Sequence, residues 1–261
     1  MLRRLLNAWK NRFTAPGIAP ERWSELCAGL PLLRRFERRE LAVLHQLAGA
    51  FLQQKHLVGA AGLTVDDDMR ALIAAQACVP VLALGLSWYD DWRTVILYPR
   101  GFVASHEYRD EAGVVHREAR PLEGEATYAG PVVLSWEDTV DTLHDWESNL
   151  VLHEFAHKLD MRNGVANGMP PLHRGMDRDA WTHAFQSAYD DFCRRVDQGL
   201  ELPFDDYADT DPAEFFAVAS EAFFLTPDRV RTWYPAVYGQ LGRFYRQWPA
   251  DTARAGAGPA A

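Results

Sequence analysis

The chain has 261 residues, enough for one large domain or two small ones with a full hydrophobic core. It is 48% hydrophobic and 24% charged, as ordinary globular proteins are, and its net charge of −9 argues against a general nucleic-acid binder. Its three cysteines are far apart and form no C-x-x-C pair, which argues against a disulfide framework or a cysteine-ligated zinc and favours a reducing compartment.

The N-terminal segment, residues 1–10, is basic and amphipathic. It lacks the apolar stretch of about 7–15 residues found in secretory signals, so we interpret it as a helix that docks on its own domain. Contact with a membrane surface is the alternative. The longest apolar run, residues 79–88, is too short to cross a bilayer. We therefore expect a soluble, cytoplasmic protein.

Three helices are predicted in the first third of the chain. Pro20 can open the first, and apolar residues recur at helical spacing in the second, up to about residue 55. Asp66 begins an acidic triplet before the helical run at residues 69–75. Acidic residues stabilise the first turn of a helix, so we interpret the triplet as a capping segment and not as a metal site.

Between residues 94 and 136 the pattern changes to short β-rich runs separated by Gly and Pro, at 94–98, 113–116 and 131–136. Residues 124–131 are a candidate edge strand, because Pro131 is tolerated mainly at edges and strand starts. An ordinary connection between strands explains this segment equally well.

Helices return after the β-rich region. They are predicted at about residues 138–162, where Asn163 and Gly164 give a stop signal, and then at 179–196, 212–224 and 227–248. The order of helices, a small sheet and further helices predicts an α+β fold.

The most informative segment is the H-E-x-x-H pattern formed by His153, Glu154 and His157. Residues four apart share one face of a helix, so both imidazoles can reach one metal ion, with Glu154 close enough to act on water. Without a metal these residues would be a polar stripe and a solvated charge. The surrounding run is apolar almost all round and is predicted to be buried, and buried polar groups need partners that a metal would supply.

Catalytic zinc takes three protein ligands, and the third one defines the subclass. A histidine six residues after His157, with Gly three residues after it, would give the metzincin pattern. Those positions hold Asn163 and Asp160, so the metzincin subclass is excluded.

Two glutamates of the helix predicted at 212–224 are candidates for the third ligand. Glu214 and Glu221 are seven residues apart and share a face, so one can bind the metal while the other orients a ligand. Glu214 has a competing role, because Asp211 as N-cap and Pro212 at the first helical position would put it at the capping-box position. Spacing alone leaves both glutamates open.

The segments HEFAHKLD at 153–160 and YADTDPAEFFAVASE at 207–221 closely resemble the bacterial Mlc titration factor A family. The resemblance extends to GPVVLSW at 130–136 and over most of the chain, without the terminal tail. The His-Glu-Phe helix and the Tyr-x6-Glu-Phe-Phe-Ala spacing also look, more distantly, like the catalytic domain of anthrax lethal factor. The resemblance implies a mostly helical, zincin-like metallopeptidase of the α+β class, with a small mixed β-sheet next to the active-site helix.

Carried onto this sequence, the resemblance implies one zinc ion and a specific set of site residues. These are the ligands His153, His157 and Glu214, the base Glu154 and the catalytic Tyr207. A phenol can donate a hydrogen bond to an oxyanion, although a tyrosine that closes the loop before the helix would also fit. Asp160, one turn past His157, is either a support for an imidazole or an ordinary helix-end acid.

The implied activity is that of a zinc peptidase, of aminopeptidase type, which acts on a peptide that an edge strand can hold extended. The family is also described as binding the transcriptional repressor Mlc, which controls sugar uptake. A regulatory protein that sequesters such a repressor is therefore the alternative function, and a purely structural zinc site is a third one. We expect an N-terminal helical region at 1–65, a catalytic domain at 66–249 and a disordered tail at 250–261.

Overall fold

A computed structural model describes residues 17–109, 115–122, 124–141, 143 and 147–250. Its α-helices are α1 (Pro20–Gly29), α2 (Arg38–Gln54), α3 (Asp67–Ala77), α4 (Trp136–Asp141), α5 (Leu150–Asp160), α6 (Arg178–Asp197), α7 (Pro212–Leu225), α8 (Pro227–Trp233) and α9 (Pro235–Tyr245). Its strands are β1 (His56–Gly59), β2 (Thr94–Tyr98), β3 (Phe102–Arg109), β4 (Val115–Leu122), β5 (Gly124–Ala126) and β6 (Val132–Ser135). The prediction of a mostly helical α+β protein is confirmed.

A mixed four-stranded sheet has the order β1-β2-β6-β5. Strands β1, β2 and β6 run parallel, whereas β5 pairs antiparallel with β6 and lies at an edge. Strands β3 and β4 form a separate antiparallel hairpin that precedes β5. Helix α5 packs against β5 and β6, so the small sheet lies next to the helix that carries the H-E-x-x-H pattern, as predicted.

Helices α5 and α7 form the centre of the molecule and pack directly on each other. All residues of α5 except His153 are buried, and α7 is buried from Phe215 to Phe224. Aromatic rings surround them, including Trp92 and Tyr89 against Phe155 of α5. Such helices are apolar nearly all round because they lie inside the core. Most of the few polar groups that they carry therefore have apolar surroundings.

Capping signals in the sequence predicted the starts of α3 and α7 correctly. The Asp66 carboxylate accepts the Met69 N–H at 2.8 Å, which confirms the acidic capping segment. The Asp211 carboxylate accepts the Ala213 and Glu214 N–H groups at 2.7 and 3.0 Å, with Pro212 at the first helical position. The helical region predicted at about 138–162 contains two helices, α4 and α5. Helix α5 begins after Asn149, whose side chain accepts the Leu152 N–H at 2.9 Å, a cap that the sequence analysis did not identify.

The single helix predicted at 227–248 is wrong, because the structure has two helices there, α8 and α9. Pro235 has no N–H to continue the ladder and its ring clashes with the preceding turn, so the chain breaks at Tyr234. Helix α9 ends before Arg246, which has a left-handed conformation with φ of 56°.

The predicted division at residue 65 stays a prediction. Strand β1 lies before it and pairs with β2 after it, so the first segment contributes to the sheet.

The N-terminal amphipathic segment lies outside the described residues, as does the predicted tail beyond the buried Ala250. In the described part of the chain, no helix combines the length and apolar character needed to cross a bilayer.

Candidate metal centre

Three side chains from two helices converge on one point. Helix α5 places the Nε2 atoms of His153 and His157 3.1 Å apart. Helix α7 brings an oxygen of Glu214 to 3.0 Å from Nε2 of His153 and 3.2 Å from Nε2 of His157. The two histidines meet because they are one helical turn apart, whereas Glu214 joins them only because α7 packs on α5.

The donor atoms of this triad suit a divalent metal ion. Nδ1 of His153 lies 2.7 Å from Glu221, so a neutral imidazole that donates there directs its Nε2 lone pair towards Glu214. Two imidazole nitrogens and one carboxylate oxygen then face each other within 3.0–3.2 Å, a set of acceptors that needs a cation. Ligand atoms around a tetrahedral zinc with bonds of about 2.0–2.1 Å are separated by about 3.3 Å. The triad therefore fits such an ion.

The pKa shifts in the triad reflect the same convergence. Burial by itself lowers the pKa of His153, but hydrogen bonds to Glu214 and Glu221 raise it well above its ordinary value. Burial by itself would raise the pKa of Glu214, yet hydrogen bonds from His153 and His157 hold it well below its usual range. The carboxylates thus favour a positive charge at this point, which a proton or a metal can supply.

Glu221 lies behind His153, on the side away from Glu214. One of its oxygens is 2.7 Å from Nδ1 of His153, and the other accepts the N–H of Asn149 at 2.7 Å. The Asn149 amide in turn donates to Gln76 at 2.6 Å. A chain of hydrogen bonds therefore connects His153 to the start of α5 and to α3. In this arrangement Glu214 lies beside both imidazoles and Glu221 supports one of them.

Glu154 lies beside the triad with a carboxyl group that is only partly satisfied. The residue is 4% exposed, and its Oε2 has no hydrogen-bond partner among the described residues. Burial raises the pKa of the Glu154 carboxyl to about 7, although His153 and His157 lower it in part. A buried carboxyl with a pKa near neutrality can accept and release a proton at physiological pH.

Tyr207 lies at the surface next to His153. Its ring centroid is 6.2 Å from that of His153, and the residue is 49% exposed. It belongs to a short turn whose start is capped by Asp205, which accepts the Tyr207 N–H at 2.8 Å. The hydroxyl of Tyr189 in α6 donates to the carbonyl of Asp209 at 2.9 Å, which ties the end of this turn to α6. Tyr207 is therefore an exposed ring next to the triad.

Asp160 is buried, but no hydrogen bond joins it to His157. Its Oδ2 accepts the N–H groups of Asn167 and Gly168, both at 2.7 Å, and so folds the loop after α5. Its Oδ1 and the Nδ1 of His157 both lack hydrogen-bond partners within the described ranges. The loop contact supports the interpretation of Asp160 as a helix-end acid, and its role towards His157 stays a prediction.

Sequence reasoning missed Lys158, and it placed Gly124 in a candidate edge strand without relating it to Glu154. Gly124 of β5 lies so close to Glu154 that an added Cβ would be 2.4 Å from Oε1. Lys158, adjacent to His157, is 1% exposed and donates to the turn after β5. The available signal for Lys158 was its position four residues after Glu154, on the same helix face, in an otherwise apolar run.

Comparison with known proteins supports the resemblance seen in the sequence. Residues 5–246 match the family described as Glucose-regulated metallo-peptidase M90. Mlc titration factor A of Salmonella typhi is 40% identical over 240 residues, which cover 90% of this chain and 89% of the relative. The protein of the same name from Enterobacter sp. (strain 638) is 39% identical over 256 residues, covering 96% and 94%. That of Salmonella arizonae is 40% identical over 237 residues, covering 89% and 93%.

Proposed function

The chain belongs to the Glucose-regulated metallo-peptidase M90 family, and we propose that it is a zinc-dependent peptidase of the H-E-x-x-H plus glutamate type. In this proposal His153, His157 and Glu214 hold one zinc ion. The observation that carries it is the convergence of two Nε2 atoms and one carboxylate oxygen within 3.0–3.2 Å, beside the buried Glu154.

The chemistry follows from the residues around the triad. When bound, zinc acts as a Lewis acid and lowers the pKa of water to about 7. Glu154 takes the proton of the attacking water and passes it to the leaving amine. Its burial keeps the carboxyl basic enough for this exchange. Tyr207, exposed next to His153, donates a hydrogen bond to the oxyanion that forms on the scissile carbonyl.

Strand β5 provides the surface for an extended peptide. It lies at the edge of the sheet and packs on α5 beside Glu154. A peptide can pair with such an edge through its backbone. This pairing positions the scissile bond without contacts to each side chain. The family resemblance favours aminopeptidase activity, in which the peptide is cut next to its free N-terminus.

Metal analysis combined with peptide hydrolysis tests this function. We expect about one zinc per chain and hydrolysis that stops when a chelator removes the metal and returns when zinc is added. Glu154→Gln keeps the shape of the side chain but removes the base, so turnover should fall by about 10²–10⁴-fold while zinc stays bound. Unchanged hydrolysis in Glu154→Gln, or hydrolysis that resists the chelator, would contradict the proposal.

A second candidate function is regulatory, and the names of the relatives favour it. Proteins called Mlc titration factor A share about 40% identity with this chain over most of its length. We infer that the chain binds an Mlc-like transcriptional repressor, either beside proteolysis or with proteolysis as a secondary activity. Its cysteines Cys27, Cys78 and Cys193 are unpaired, which agrees with a cytoplasmic location where it would meet that partner.

A pull-down with the Glu154→Gln variant separates the two functions. Retained binding of a Mlc-like repressor without turnover would show that binding does not need the catalytic base. If neither the wild-type protein nor the variant retains the repressor at micromolar concentration, the regulatory candidate is contradicted and the peptidase proposal is unaffected.

A further inference from the structure

A lysine lies buried on the helix that carries the candidate metal ligands. Lys158, next to His157 in α5, is 1% exposed. Its ammonium group donates to the carbonyl oxygen of Thr127 at 2.8 Å and to that of Gly130 at 3.1 Å. It also lies 5.2 Å from the centroid of the Trp92 ring. A buried ammonium is unfavourable unless it is hydrogen-bonded, so these contacts fix the side chain in one place.

Lys158 and Glu154 share one face of α5, because residues four apart are neighbours on a helix. Together they contact both ends of one short strand. Gly124, the first residue of β5, lies against the Glu154 carboxyl, where an added Cβ would be 2.4 Å from Oε1. The turn at 127–130, which follows β5, receives the two hydrogen bonds of Lys158. Glu154 and Lys158 therefore contact the two ends of the segment 124–130.

The 127–130 turn is a compact element with an aromatic tip. The N–H of Gly130 donates to the carbonyl of Thr127 at 3.0 Å, and Ala129 has φ of 51°. An added Cβ at Gly130 would clash with Thr127 Oγ1, so a larger residue there would require the Thr127 hydroxyl to move. Tyr128 keeps 61% of its surface exposed. The turn thus exposes the Tyr128 ring beside the edge of the sheet, and the hydrogen bonds of Lys158 hold the two ends of the turn.

We propose that Lys158 is a positioning residue for the substrate: it holds the 127–130 turn so that β5 pairs with an extended peptide beside Glu154 and Tyr128 contacts a peptide side chain away from the scissile bond. This inference rests on the proposed peptidase function and deepens it. It assigns two tasks to residues 124–130, outside the metal triad: the selection of substrate length and the recognition of a substrate side chain.

Lys55 provides a matched comparison within the same molecule. It is also buried, and its ammonium lies 4.0 Å from the centroid of the same Trp92 ring. It donates to the carbonyl oxygens of Tyr89 and, at 2.6 Å, of Trp92. Burial lowers the pKa of both lysines to about 8. The two differ in what they hold, because the carbonyls bound by Lys55 do not belong to β5 or its turn.

The test compares Lys158→Met with Lys55→Met and Tyr128→Ala in the zinc-loaded full chain. Methionine is unbranched and fills similar space without a charge, so both lysine variants lose a comparable buried group. Zinc content and thermal unfolding are measured first. Amide hydrogen exchange at residues 124–130 is then measured by mass spectrometry, and KM and kcat are measured for peptides of two to eight residues.

We expect Lys158→Met to keep zinc and to exchange the amides at 124–130 about tenfold faster or more, since charged hydrogen bonds to the turn are lost. KM for the longest peptides should rise by about tenfold, whereas KM for the shortest should change less than about twofold. Tyr128→Ala should raise KM for the longer peptides without changing the exchange. Lys55→Met should change neither the local exchange nor the dependence on peptide length.

Unchanged exchange at 124–130 in Lys158→Met would overturn the inference, as would an equal effect of Lys55→Met. If Lys158→Met lowers kcat equally for every peptide length, its effect is general and the inference fails as well. Wild-type protein that hydrolyses no peptide contradicts the proposed function instead. The exchange measurement then still decides whether Lys158 holds the turn.

Discussion

His153 and His157 are one turn apart on the same helix, yet their surroundings differ. Nδ1 of His153 is held at 2.7 Å by Glu221, which is itself bonded to Asn149 and, through it, to Gln76. Nδ1 of His157 has no hydrogen-bond partner among the residues that the structure describes. The Nδ1 side of His153 is therefore tied to α7 and, through Asn149, to α3, whereas the Nδ1 side of His157 has no such support in the described residues.

The difference shows that a motif supplies ligands but not their orientation. Metal-binding histidines usually donate their second N–H to a carboxylate or carbonyl, which fixes both tautomer and ring orientation. His153 has this support before any metal binds, and in the described residues His157 does not. We therefore expect His153 to be the preformed half of the centre and His157 to be ordered by the metal itself.

Removal of either histidine gives the largest expected effect. His153→Ala and His157→Ala should each reduce the zinc content from about one per chain to nearly none, because three protein ligands are needed. The two should differ once zinc is removed with a chelator. His153→Ala leaves one oxygen of the buried Glu221 carboxylate without its partner, so it should lower the free energy of unfolding by about 1–3 kcal/mol more than His157→Ala does. Elemental analysis and thermal unfolding measure both effects, and an equal loss of stability in the two metal-free variants would contradict the comparison.

Glu221→Gln should have the next largest effect. Its single carbonyl oxygen cannot serve both His153 and the Asn149 N–H, so one of the two bonds is lost. We expect the dissociation constant for zinc to rise by about 10–100-fold, as for other carboxylates that support a metal-binding histidine. Titration against a competing chelator measures this constant. A value within twofold of the wild-type constant would show that the preformed support contributes nothing to metal binding.

Asp160→Asn tests the other histidine and should have a smaller effect on metal binding. The remaining carbonyl oxygen can still accept the N–H groups of Asn167 and Gly168, so the loop after α5 should keep its shape. We expect the zinc dissociation constant to rise less than about fivefold, below the range for a supporting carboxylate. The same chelator titration measures this constant. A rise of tenfold or more would show that Asp160 pairs with His157 when the metal is bound.

Gln76→Leu should have the smallest effect, because Gln76 is the most distant member of the chain of bonds. It removes the acceptor of the Asn149 amide and leaves that buried donor unpaired. The free energy of unfolding in urea should fall by about 1–3 kcal/mol while zinc affinity stays nearly unchanged. A loss of zinc affinity as large as that of Glu221→Gln would mean that the hydrogen bonds from His153 to Gln76 act as one unit.

Local signals in the sequence predicted much of this architecture. The caps at Asp66 and Asp211 and the strand at Thr94–Tyr98 are found where the residues indicated, since short-range chemistry determines them. The adjacency of His153 and His157 follows from helical periodicity alone. The break before Pro235 was equally local, but the predicted helix ran through it.

Other features depend on tertiary packing and could not be predicted from spacing. Glu214 and Glu221 share a helix face, and only the packing of α7 on α5 puts the first between the imidazoles and the second behind one of them. Strand β1 has four residues, too few for a clear alternation. Lys158 binds carbonyls 28 and 31 residues earlier in the chain, a relation that no local pattern contains.

The candidate metal ligands lie on only two helices, with His153 and His157 on α5 and Glu214 on α7. A chain in which these helices have not yet packed, or have separated, does not bring the three side chains together. In the proposed peptidase, assembly of the metal site is therefore coupled to the packing of the core.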